Sequence, residues 1–204
     1  MNVLLKKGSR GELVKQMQKA LNLVPDGIFG AITEEKVKTF QSKHGLKADG
    51  VVGPATWAVM FPSILKKSQR KINEIIIHCS ATPEGKDYTV DDITKWHKQR
   101  GFNTIGYHYV IYRDGSLHEG RDVNLVGAHC TGHNSYSIGI CYVGGMDKAN
   151  KKAKDTRTEE QRATLMSLLM DLRKLYPKAK ITGHNEYANK ACPSFDAKSE
   201  YASI

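Results

Sequence analysis

The sequence predicts a two-part α/β protein: a small three-helix domain over residues 1–62, then a larger domain of mixed α+β/α/β type over residues 72–204. Three observations carry this reading. The turn pattern Asp26-Gly27-Ile28-Phe29-Gly30 recurs as Asp49-Gly50-Val51-Val52-Gly53, each copy ahead of a helical pattern. The stretch from Pro62 to Lys71 is polar, basic and aperiodic, which assigns 63–71 to a linker. Beyond it, β-branched runs are interspersed with capped amphipathic stretches.

In the first domain, each Asp-Gly pair supplies a turn with glycine at positive φ, and the second glycine of each copy is expected to permit close approach before the next helix. Ser9 with Glu12 forms a capping-box pattern ahead of Leu13, Val14, Met17 and Leu21. A second helix, led by Thr33, carries Val37, Phe40 and Gln41, and Pro54 suits the first turn of a third with Trp57 and Met60.

In the second domain, Ile75-Ile76-Ile77 predicts a buried strand ending on His78-Cys79. Thr89 with Asp92 caps a helix that carries Trp96 and stops at Gly101. Tyr107 to Arg113 alternates as a strand into an Asp114-Gly115 hairpin turn. Ser137 to Val143 is a further buried strand. Thr158 with Gln161 caps the longest helix, whose Leu165, Leu168, Leu169, Leu172 and Leu175 form a stripe ended by Pro177. Ile181-Thr182 is a short final strand before His184.

Composition narrows the function classes. The 204 residues are 40% hydrophobic and 25% charged, which excludes disorder for most of the chain. No run approaches the 18 apolar residues of a membrane span, and the start, Met1 to Lys7, is not expected to be an export signal. Cys79, Cys130, Cys141 and Cys192 are far apart without a CxxC, so free thiols and a reducing compartment are expected. A net charge of +10 suits an anionic partner such as nucleic acid, a membrane surface or an acidic wall polymer. The lysines are scattered, however, and the densest cluster, Lys148 to Lys154, reads as a solvated loop, so no nucleic-acid partner is expected.

Candidate chemistry lies at strand ends, where open α/β sheets place their ligands. His78 closes one strand, His184 follows another, and Cys192 comes eight residues later. Two imidazoles and a thiolate suit tetrahedral zinc with a fourth position open for water. On spacing alone, satisfied core histidines and a buried thiol are an equal reading.

Asp26 to Gly30, Phe40-Gln41 and Asp49 to Trp57 together resemble the type 1 peptidoglycan-binding domain over most of residues 1–62, which implies peptidoglycan as partner. Taken singly, these glycines and aromatics read as turn and core residues. Ile77 to Thr82, Trp96-His97, Gly106 to Tyr109, Arg113 to Gly115, Gly120-Arg121, Ser137 to Gly139, Gly183-His184 and Lys190 to Asp196 occur in order. That set resembles the bacteriophage zinc amidases of the type 2 N-acetylmuramoyl-L-alanine amidase family, related in fold to peptidoglycan recognition proteins.

The resemblance implies a mixed sheet with flanking helices and one Zn²⁺ per chain on His78, His184 and Cys192. It implies Tyr107 and Lys190 as the catalytic pair and His129 in the substrate groove, with His97, His108, His118 and His133 left as packing or surface residues. The reaction implied is zinc-assisted hydrolysis of the bond between N-acetylmuramic acid and L-alanine. The physiology implied is that of a monomeric phage endolysin, made in the host cytoplasm and reaching the wall after holin-type release. A zincin is excluded because HExxH is absent, and a zinc deaminase because only Cys192-Pro193 of P-C-x-x-C is present. The stronger rival is a non-catalytic peptidoglycan-binding protein of the same fold; the retained Cys192 favours the enzyme.

Overall fold

A computed structural model of the chain describes residues 4–61 and 65–204. The chain divides into two compact units, Met1–Ile64 and Leu65–Ile204. The first holds α1 (Glu12–Ala20), α2 (Ala31–Lys43) and α3 (Pro54–Met60) around Val14, Met17, Phe29, Val37, Val52 and Trp57. Its two Asp-Gly turns are organised by glutamines. The buried Gln18 accepts from the Gly27 amide, and its Nε2 lies within hydrogen-bond distance of Asp26 Oδ1, the Ile28 carbonyl and Thr33 Oγ1. Gln41 repeats the set with Gly50, Asp49, Val51 and Thr56. Gly27 and Gly50 take the expected positive φ, +75° and +74°.

Three local expectations change. Helix α1 is capped by Gly11 with no side-chain bond, and Ser9 Oγ instead accepts from the Lys6 amide. Gly11 at φ +113° turns the chain there, its amide held by the Gly27 carbonyl, so the helix begins beyond the reach of Ser9. Helix α2 starts from Gly30; Thr33 lies within it, buried, with its hydroxyl engaged by Gln18. Gly30 and Gly53 are extended N-caps with open space where a Cβ would stand, so close approach is not their role. Pro54 does occupy the first turn of α3.

The second unit contains β1 (Glu74–Cys79), β2 (Thr82–Pro83), α4 (Val90–Gln99), β3 (Tyr109–Ile111), β4 (Leu117–Glu119), β5 (Ser137–Tyr142), β6 (Gly145–Met146), α5 (Glu159–Leu175), β7 (Lys180–Gly183) and α6 (Ala197–Glu200). The main sheet has the order β4-β3-β5-β1-β7; β3 and β4 are antiparallel and the other pairs parallel. The small sheet pairs β2 with β6. Both faces of the main sheet are covered. Ile75, Ile77, Tyr109, Ile111, Ile138 and Ile140 share a core with the α5 leucines. Val110, Cys141 and Val143 pack with Ile93 of α4 and Ile105. Two-sided burial explains why β3 is apolar throughout; it covers Tyr109–Ile111 of the expected Tyr107 to Arg113 run. Both capping boxes predicted for this unit are present, Thr89 with Asp92 on α4 and Thr158 with Gln161 on α5.

Residues 63–64 of the expected linker lie outside the described residues, and the remainder is built into the second unit. The Ser68 amide donates to the Tyr176 hydroxyl (2.6 Å) and its Oγ to the Val123 carbonyl (2.7 Å). Arg70 donates to the carbonyls of Val123, Asn134, Ser135 and Ser137. These polar residues read as linker because their partners lie far along the chain, which sequence texture does not display.

Candidate metal centre and cleft

The parallel strands β1 and β7 deliver two imidazoles to one edge of the sheet. Their register pairs Ile77 with Gly183, so His78 and His184 follow on neighbouring strands. The rings stand 4.6 Å apart between centroids. The chain turns through a short 3₁₀ segment, His184–Glu186, and returns with Cys192. Gly183 makes room for that return: a Cβ there would lie 2.4 Å from Asn185 Oδ1 and 2.8 Å from Pro193 Cδ. The Tyr142 hydroxyl anchors the loop by donating to the Pro193 carbonyl at 2.6 Å.

The potential ligand atoms of His78, His184 and Cys192 lie within 4.8 Å of one another. Cys192 Sγ is 3.7 Å from His78 Nδ1 and accepts from the Cys79 amide at 3.3 Å. Burial, reinforced by His129, His184 and Lys190, pushes the His78 pKa well down. Burial and Lys190 also lower that of His184, so both rings favour the neutral form, whose lone pairs can bind a metal. The hydrogen bond with the Cys79 thiol, together with burial, pushes the Cys192 thiol up. Two neutral imidazoles and one sulfur that receives a backbone N–H fit a borderline-soft divalent ion.

A cleft of about 510 Å³ opens over this set, lined among others by Trp96, Arg100, Tyr107, Asn134 and Lys190. The Tyr107 ring lies 5.1 Å from His78 and 5.3 Å from His97 between centroids. Burial, then the nearby thiols of Cys141, Cys192 and Cys79, push its phenol well above the ordinary value, so it remains a donor. Lys190 is exposed at the rim.

His129 also borders the cleft, but both ring nitrogens face protein, Nδ1 toward His78 Nε2 at 3.1 Å and Nε2 toward Ser137 Oγ at 3.3 Å. It stands directly behind His78. Of the remaining histidines, His97 accepts from the Gly106 amide and touches Tyr107, which makes it a support of the cleft. His108 is buried, its pKa lowered to about 4 by burial. His118 stacks on Tyr112, and His133 pairs with Glu74 and lies against Tyr187. Arg100 and Asn134 in the lining had no sequence signal, since neither belongs to a spacing pattern with the ligands.

The family model described as N-acetylmuramoyl-L-alanine amidase matches residues 68–195. A peptidoglycan binding domain model matches residues 10–60. The endolysin of Enterobacteria phage K11 is 45% identical over 129 residues, 63% of this chain and 84% of the relative. That of Escherichia phage T7 is 43% identical over 132 residues, 65% of this chain and 87% of the relative. Among solved structures, the N-acetylmuramoyl-L-alanine amidase LysC from Clostridium intestinale is similar with a TM-score of 0.55 at 29% identity, covering 65% of this chain and 83% of that one.

Proposed function

The chain belongs to the N-acetylmuramoyl-L-alanine amidase family, and from that premise we propose that it is a phage endolysin holding one zinc ion on His78, His184 and Cys192. It hydrolyses the amide between N-acetylmuramic acid and L-alanine in peptidoglycan. The observation that carries the proposal is the convergence of these three ligand atoms within 4.8 Å, at a cleft lined by Tyr107 and Lys190. Bound zinc with three protein ligands supplies an open position that activates water near neutral pH and polarises a carbonyl.

The chain's own residues do the rest. The Lys190 ammonium, at the rim beside His184 and Cys192, stabilises the negative charge that builds on the scissile carbonyl oxygen as water adds. Tyr107, kept protonated by burial, orients the attacking water or gives a hydrogen bond to the leaving amine. His78 and His184, kept neutral, stay available as ligands and do not compete as acids.

The proposal assigns peptidoglycan binding to residues 1–62 and catalysis to the second domain. The segment containing Ser68 and Arg70 is taken with the catalytic domain, which is supported by the bonds these residues make to it. It also takes the protein as a monomer, made in the host cytoplasm and passed to the wall by a holin-type pore. Among the described residues, no helix is long and apolar enough to cross a membrane.

The test is mass spectrometry of the products from purified peptidoglycan, with elemental analysis of the protein. Stem peptides with a free L-alanine amino terminus and intact sugar chains are expected, along with one zinc per chain that Cys192→Ala loses. Cleavage within the sugar chain or the crosslink, or full zinc retained by Cys192→Ala, would overturn the reading. Binding without any soluble product would identify a recognition protein instead.

A further inference from the structure

The surroundings of His129 leave it one geometry. Its ring stands in a slot between two glycines: a Cβ at Gly127 or at Gly139 would lie 2.5 Å from His129 Cδ2. Its backbone is pinned by Asn134, whose Oδ1 accepts from the amides of His129 (2.8 Å) and Cys130 (2.9 Å). On one side His129 Nδ1 meets His78 Nε2 at 3.1 Å; on the other, Nε2 meets Ser137 Oγ at 3.3 Å. Ser137 is fully buried, and its Oγ donates to the His133 carbonyl at 2.8 Å.

These contacts set the direction of every proton along the row. A carbonyl only accepts, so the hydroxyl hydrogen of Ser137 is committed to His133 and its oxygen is left to accept from His129 Nε2–H. A neutral imidazole with its proton on Nε2 carries a lone pair on Nδ1, which receives the proton of His78 Nε2. His78 then keeps its own lone pair on Nδ1, the nitrogen that faces Cys192 Sγ at 3.7 Å. We propose that His129, backed by Ser137, is a positioning residue that locks His78 in the Nε2–H tautomer, with the Nδ1 lone pair aimed into the ligand set. The inference rests on the reading of His78 as a zinc ligand and extends it: the site is oriented before metal arrives, from a backbone carbonyl inward.

Outer partners of metal-bound histidines typically govern affinity by roughly 10- to 100-fold. The full-length protein is therefore compared with His129→Leu, His129→Asn and Ser137→Ala by competition for zinc against a chromophoric chelator. His129→Leu should bind zinc roughly 10- to 100-fold more weakly. His129→Asn retains an acceptor for His78 and should recover most of the loss, with Ser137→Ala between the two. Imidazole ¹⁵N–¹H spectra of the metal-free wild type should show both His78 and His129 protonated on Nε2.

Wild-type zinc affinity in His129→Leu, an Asn variant as weak as the Leu variant, or His78 protonated on Nδ1 would each overturn the proposal. If His129→Leu does not fold, Ser137→Ala and the wild-type spectrum decide it. A wild type that binds no zinc, or binds it equally after Cys192→Ala, refutes the ligand assignment instead, and the metal-free spectrum still decides the pairing of His129 with His78.

Discussion

Replacing Arg70 by alanine removes a fork that ties the start of the second unit to two distant loops. The guanidinium donates from Nε to the Val123 carbonyl at 2.8 Å and from Nη2 to the Ser137 carbonyl at 3.1 Å; Nη1 reaches Asn134 and Ser135 at 3.2 and 3.3 Å. A hydrogen bond from a charged donor contributes about 1.5–3 kcal/mol when the acceptor loses access to water. Arg70 is half-buried, so only the two shorter bonds are counted, each at the low end of that range, for about 3 kcal/mol in all. For a unit of this length, 1 kcal/mol moves the midpoint by roughly 3 °C, so Arg70→Ala should melt about 10 °C lower. Lysine cannot reproduce the planar fork, and Arg70→Lys should recover less than half of the shift. The assay is thermal unfolding by circular dichroism of the full-length protein, with zinc content measured alongside. A shift below about 3 °C, or an Arg70→Lys protein equal to wild type, would refute the reasoning.

Tyr107→Phe and Lys190→Ala should each retain zinc and fold while turnover falls by about 10²–10³-fold, the usual cost of one lost transition-state donor. Near-normal turnover with full zinc would return both residues to packing and surface roles. Acid sensitivity should come from Asp155 and Glu200. Burial pushes both carboxyls up, but hydrogen bonds and charge from Arg157, whose side chain is fully buried, outweigh it, and the net shift is downward. Their folded values lie below the unfolded ones, so the stabilisation is present above about pH 4 and is lost as pH falls through the folded values. Melting of wild type and Arg157→Met from pH 7 down to about pH 3 should show a difference that shrinks in acid; a pH-independent difference would contradict the assignment.

Elements whose stabilising partners are close in sequence were legible. Both capping boxes of the second unit lie within four residues, and the β-branched run at Ile75 to Ile77 forms the strand it indicates. Failures occurred where the deciding partner is remote. Ser9 and Glu12 satisfied a local rule, but the Gly11 amide bonds the Gly27 carbonyl and moves the cap. The glutamines that build the Asp-Gly turns sit eight residues before the aspartates on the preceding helix; Gln41 is legible only as part of the Phe40-Gln41 motif, and Gln18 carries no signal of its own. At the site, His78, His184 and Cys192 were visible through strand ends and family motif. The position of His129 behind His78 was not, since it depends on packing across Gly127 and Gly139 and on the Ser137 hydroxyl.

The same contrast explains how the proposed three-ligand site is held in place at the ends of the strands. Two of the proposed ligands extend from adjacent parallel strands, whose ladder fixes the ends of β1 and β7 in register. The third comes from a loop, the least ordered kind of element, yet its sulfur is tied to the Cys79 amide at the end of β1, and its neighbour Pro193 is held through Tyr142 at the end of β5. The loop is therefore referred to the same sheet edge as the histidines. What the strands cannot fix is rotation of the imidazole about its own bonds and the choice of protonated nitrogen. In this fold both are left to the buried row of His129 and Ser137, which begins on β5 beside β1 and so takes its position from the same ladder.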